Sequence, residues 1–263
     1  MQDKILTGKT AVVTGGSKGI GRAIAERLAA DGCNVFLMAR SADALKQAAQ
    51  DIGASHGVDT AWHAADLKSL SGCEEAASAA LDRFGEVDIL VNCAGDTKAG
   101  AFPDQPDDEW MAGFDLKFHG AVRLTRLLWP ALRKAKGTIV NVGGAAAYTP
   151  GAGFMVGGAV NAALAHFTKS LSKQGLKDDV NVNIVHPGMT VSDRMQTLLE
   201  HQASVEGISI EEAKERNVSG AGIRRLGQPE DVANAVAFLC SPASRHIQGV
   251  QIAIDGGATG GMH

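Results

Sequence analysis

The residues with the clearest chemical purpose are glycines. Thr14-Gly15-Gly16-Ser17-Lys18-Gly19-Ile20-Gly21 follows a short apolar run and opens a stretch of helical periodicity. Gly15, Gly19 and Gly21 suit a tight turn whose backbone approaches a pyrophosphate, with the amides of a helix start facing the negative charge. The dinucleotide-binding candidates here are Gly15, Ser17, Lys18, Gly19, Ile20 and Gly21. The preceding strand and following helix raise this motif above a chance spacing. Cofactor choice is read at the end of the second strand, where a carboxylate would take ribose hydroxyls. This chain has Ala39-Arg40-Ser41 instead. Arg40, with Lys18, suits a 2′-phosphate, so NAD or NADP is expected, with NADP ahead. A solvated loop arginine is the other reading. Tyr148 is the only tyrosine. The four cysteines (Cys33, Cys73, Cys93, Cys240) form no CxxC pair and read as small buried hydrophobes. The eight histidines form no HExxH motif, so no metal is expected.

These residues need elements to position them. Short β-branched runs are predicted as strands at 10–14, 34–38, 60–64, 87–91, 138–142, 180–185 and 251–254. Helical patterns fall between them, at 20–30, 42–52, 73–84, 109–132, 156–173 and 229–240. Continuous apolar strands alternating with helices imply an α/β, doubly wound Rossmann fold: a seven-stranded parallel sheet with helices on both faces. Residues 1–263 read as one domain, with a polar, lid-like insertion at about 190–222. The charge balance, 25 basic against 29 acidic residues, excludes a basic nucleic-acid binder. The 45% apolar content supports a full core. The start Met1-Gln2-Asp3-Lys4 carries no secretory pattern, and no apolar run reaches the ~18 residues of a membrane span. A cytoplasmic protein without membrane partners is expected.

The motifs together resemble the short-chain dehydrogenase/reductase family along essentially the whole chain. The glycine loop is similar to that family's TGxxxGxG. Asp66-Leu67 resembles its adenine-contacting acidic position, and Asn92-Cys93-Ala94-Gly95 its NNAG turn. Pro187-Gly188 resembles the turn beside the nicotinamide. The segment from Arg225 to Gly257 is similar to its C-terminal signature. The resemblance implies that Asp66, Leu67, Asn92, Ala94, Gly95, Pro187 and Gly188 join the glycine loop and Arg40 in holding the cofactor. It also locates the family's Asn-Ser-Tyr-Lys tetrad by register. Trp110 and Gly120 place the asparagine position at Lys117. The run Ile139-Val140-Asn141-Val142-Gly143-Gly144 places the serine position at Gly144. The segment Phe167-Thr168-Lys169-Ser170-Leu171 places the tyrosine position at Gly157, and Asn161, four later, takes the lysine position. In the family these groups carry the proton, steady the oxyanion and order water.

All four positions depart from the pattern. The leading expectation is therefore a non-catalytic subunit, with no catalytic residues of its own, paired with an active homologous short-chain dehydrogenase. Contact would be a dimer or tetramer through the long fourth and fifth helices, the second presenting Ala159, Ala162, Ala163 and Ala165. The tail Gly260-Gly261-Met262-His263 would reach across that contact. The resemblance extends to the inactive subunit of a two-subunit dehydrogenase acting on 2-(hydroxybenzyl)succinyl-CoA in anaerobic toluene breakdown. The alternative is an NAD(P)-dependent oxidoreductase, or a lyase or isomerase, with a relocated acid/base group, Lys117 or Tyr148. A third reading is a nucleotide-sensing regulator. His186 is read as a hydrogen-bonded spacer before the Pro187-Gly188 turn.

Overall fold

Seven parallel strands form the sheet of the computed structural model, which describes residues 4–260; the tail's residues 261–263 lie outside the described residues. The strands are β1 (Thr10–Thr14), β2 (Asn34–Ala39), β3 (Thr60–Ala64), β4 (Ile89–Asn92), β5 (Thr138–Val142), β6 (Asn181–Pro187) and β7 (Gln251–Ile254). Their order is β3-β2-β1-β4-β5-β6-β7. The reversal of direction lies between β1 and β4, the place where an open α/β sheet parts to admit a ligand. The doubly wound Rossmann architecture is thus the one the strand pattern implies. β1 is buried along its whole length, which is why its centre, Ala11-Val12-Val13, reads as a continuous apolar run rather than an alternation.

Helices α1 (Gly19–Ala30), α2 (Ala42–His56) and α9 (Pro229–Cys240) cover one face. Ile24, Leu28, Leu45, Ile52 and Val236 fill the space beneath them. Helices α3 (Leu70–Phe84), α5 (Gly120–Ala135) and α6 (Met155–Asp178) cover the other, over Phe36, Leu90, Leu124, Leu128 and Ile139. Ser41 and Ser69 cap the starts of α2 and α3 through their hydroxyls, and Gly57 and Gly85 end the same helices at positive φ.

One predicted element differs in kind. The helix expected over 109–132 is three pieces: α4 (Asp107–Phe114), a π-helical turn over Asp115–His119, and α5. The apolar periodicity on either side is helical, so the sequence carries no sign of the wider turn. Lys117 sits inside it, and Gly120 follows where an added Cβ would lie 2.9 Å from Leu67 O. The 190–222 segment forms α7 (Asp193–Glu206) and α8 (Ile210–Gly220), which share a small core of Leu199, Ala203, Ala213 and Leu226. Among the described residues, no helix is long and apolar enough to cross a membrane.

Candidate active site

The glycine turn leaves β1 and is pressed against the end of β4. Thr14 Oγ1 accepts from both Cys93 N and Ala94 N, each at 2.9 Å. Gly15, at φ +68°, would place a Cβ 3.2 Å from Ala94 Cα. A Cβ on Gly21 would run into Gly15 O. Side chains at these two positions would fill the cradle between turn and helix, so their absence keeps the backbone accessible. Lys18 precedes α1 without capping it through its side chain, leaving first-turn amides to be satisfied from outside. Ser17 and Ile20 are half-buried beside the turn, and Gly19 has φ +56°. These residues fit the pyrophosphate of a dinucleotide.

The other cofactor candidates surround the same C-terminal edge of the sheet. Arg40 is exposed at the end of β2. Asp66 is exposed after β3 and accepts from Lys68 N at 3.1 Å, while the Leu67 side chain is buried in the core. Asn92 is buried: its amide nitrogen donates to Asn141 Oδ1 at 2.9 Å and to Thr125 Oγ1 at 3.2 Å. Asn92 therefore joins β4 to β5 and α5, and Ala94 and Gly95 carry the turn onward. Pro187 ends β6. Gly188 N donates to Ile254 O at 3.0 Å, and a Cβ on Gly188 would meet Asp255 at 2.7 Å.

The positions read as departures from the tetrad are filled by neighbours. Lys117, half-buried, lies over Gly95 and donates from Nζ to Gly143 O at 2.8 Å. A Cβ on Gly95 would come within 2.9 Å of the Lys117 stem. Asn161, only 3% exposed, packs on Gly144; a Cβ there would lie 2.7 Å from Asn161 Nδ2. Its Oδ1 is buried without a hydrogen-bond donor among the described residues. The Phe154 ring covers Gly157, in the space an added Cβ would take. The region is thus repacked rather than emptied.

Tyr148 is held between His186 and β7. Its hydroxyl donates to Gln251 Oε1 at 2.7 Å, and its ring lies 4.6 Å from the His186 ring. Burial raises its pKa, which makes it a poorer proton donor. His186 is fully buried and meets Gly144 through Nδ1, 3.1 Å from the oxygen and 3.3 Å from the nitrogen. A Cβ on Gly143 would lie 2.6 Å from His186 Nδ1. Burial also pushes the Cys93 thiol up to about 12, against a smaller opposing pull from Lys117. Lys117, Asn161, Gly144 and His186 therefore come together at the end of β5, with Tyr148 against the His186 ring and its hydroxyl bonded to Gln251 of β7. Sequence reasoning missed Phe154, Gly143 and Gln251. An aromatic three residues ahead of paired glycines was the available signal for Phe154; nothing local pointed to the other two.

A dinucleotide turn at the switch point of a seven-stranded parallel sheet defines the class as a Rossmann-fold nucleotide-binding protein. The chain belongs to the short-chain dehydrogenase family, whose profile matches residues 9–203. It is 34% identical over 258 residues to the uncharacterized oxidoreductase YvaG of Bacillus subtilis (strain 168), covering 96% of each chain. It is 35% identical over 251 residues to the 3-oxoacyl-[acyl-carrier-protein] reductase FabG of Salmonella typhimurium, covering 95% of this chain and 97% of that one. L-sorbose reductase from Gluconobacter frateurii, solved with NADPH and L-sorbose, superposes with a TM-score of 0.95 at 30% identity, covering 99% of this chain and 100% of that chain. These full-length relatives are oxidoreductases. They overturn the expectation of a non-catalytic subunit dependent on an active homologue. The pseudoenzyme, hetero-oligomer and toluene-degradation readings fall with it.

Proposed function

We propose that the chain is an NAD(P)-dependent oxidoreductase that interconverts a carbonyl and an alcohol, with Lys117 as the proton-carrying group. The observation that carries this reading is Lys117, whose ammonium is anchored 2.8 Å from Gly143 O and whose stem lies across Gly95 in the cofactor-binding turn. When bound, the nicotinamide supplies the hydride to the carbonyl carbon. Lys117 Nζ gives its proton to the carbonyl oxygen as the C–H bond forms, and takes it back in the oxidative direction. Gly143 O accepts one of the ammonium's N–H bonds and so fixes where Nζ sits. The Phe154 ring over Gly157 keeps water from that side of the site. Arg40 and Lys18 favour NADP over NAD through a 2′-phosphate. The 190–222 segment closes the substrate side. We place contact between copies of this chain on α5 and α6.

We assign the proton role to Lys117 rather than to Tyr148, whose hydroxyl donates to Gln251 Oε1. The test is NADPH and NADH oxidation by the purified protein against a panel of ketoses and 3-oxoacyl thioesters. Lys117→Ala should lower kcat about 100-fold or more while cofactor affinity stays within about two-fold, and Tyr148→Phe should stay within about two-fold. Equal kcat in Lys117→Ala and the parent enzyme, or absence of turnover across the panel, would sink the reading.

A further inference from the structure

Lys18 is 76% exposed at the lip of the glycine turn, yet it is paired. Its Nζ donates to Asp193 Oδ2 at 2.7 Å, across 175 residues of sequence. Asp193 is the first residue of α7, directly after Ser192, whose hydroxyl accepts from Met195 N at 3.2 Å. Just before it the chain is fixed. Val191 N donates to Gly227 O and Gly227 N to Met189 O, both at 2.8 Å. Helix α7 is therefore rooted at 189–191 and joined to the glycine turn at Asp193. The Lys18 contact holds the Asp193 carboxyl below its ordinary range, so it is a carboxylate at neutral pH.

We propose that Asp193 is a cofactor-selectivity residue, which competes with a dinucleotide phosphate for the Lys18 ammonium and is displaced when that phosphate binds. The proposal rests on the reading of Lys18 as a phosphate contact. A carboxylate and a phosphate drawn to one ammonium repel each other at close range. A 2′-phosphate monoester carries close to two negative charges and meets that repulsion in full; a dinucleotide without it meets less. Asp193 thus weakens binding of the phosphorylated cofactor more than that of its unphosphorylated counterpart. The cofactor's arrival also frees the start of α7 from the turn.

The experiment is equilibrium binding of NADPH and NADH, read by nicotinamide fluorescence, to the full chain and to Asp193→Asn, Lys18→Ala and the double variant. Both side chains are largely exposed, so the variants are expected to fold, and circular dichroism checks this. Asp193→Asn should tighten NADPH by about two- to five-fold, the scale of an exposed ion pair, and NADH by less. The gain should shrink at high salt and vanish in the Lys18→Ala background. If Lys18→Ala weakens NADPH but Asp193→Asn leaves it unchanged or weaker, the competition proposal is overturned and the phosphate reading stands. A gain that survives undiminished without Lys18 also overturns it. If Lys18→Ala leaves NADPH affinity unaltered, the phosphate reading has failed and the proposal goes with it.

Discussion

Gly157 lies in the first turn of α6, where a glycine costs roughly 0.5–1 kcal/mol relative to alanine. An alanine there would recover that propensity but drive its methyl into the Phe154 ring. Overpacking typically costs about 1–3 kcal/mol. Gly157→Ala should therefore lower stability in urea denaturation, and Phe154→Ala with Gly157→Ala should cost less than the two single changes summed. A stabilising Gly157→Ala would show that the ring yields easily. The same comparison explains what was legible. The glycine turn could be read because its meaning lies in eight consecutive residues. The repacked site could not, because Lys117 meets Gly143 across 26 residues and Tyr148 meets Gln251 across 103. Asn161 against Gly144 is likewise a tertiary contact that residue types alone do not announce.

At the scale of elements, strands β1, β3, β5 and β7 and helix α9 begin and end where their sequence pattern places them. Pro229 opens α9 and supplies a fixed φ at a position that needs no N–H. The π turn escaped detection because it alters hydrogen bonding without altering which residues are apolar. The start of α9 carries a pH-dependent clasp. Asp231 accepts from Arg225 at 2.6 and 2.8 Å and from Gln228 N at 2.7 Å. Arg225 first, and then that backbone bond, hold its carboxyl at about 2 instead of 3.8. A depressed carboxyl contributes its full stabilisation above its unfolded value and loses it as pH falls through the folded one. The contribution should thus fade between about pH 4 and pH 2. Asp231→Asn should flatten that part of the stability profile, as followed by thermal melts. Because the carboxyl is partly exposed, salt should reduce the effect.

For the whole molecule, the outer face of α6 offers a test of self-association. Ala159 and Ala162 are exposed there, and Ala163 is half-buried. Such small residues let another helix approach closely. A charge at Ala162 should be harmless on a solvent-facing helix and disruptive in a contact between copies. Ala162→Glu should therefore lower the mass measured by light scattering without changing the melting behaviour of the subunit; an unchanged mass would move the contact off α6. The sheet order also has a consequence for how the chain comes into being. After β4, each new strand joins the edge left by the one before, so β5, β6 and β7 can add in the order in which they are synthesised. Helix α1 has no such luck. Its covering helix, α9, arrives some 200 residues later, packing against it with Arg27 donating to Asn234 at 3.0 Å. Until residue 240 has left the ribosome, the cofactor-bearing helix keeps a greasy flank in water. That interval is when the nascent chain is most open to aggregation and most in need of a chaperone.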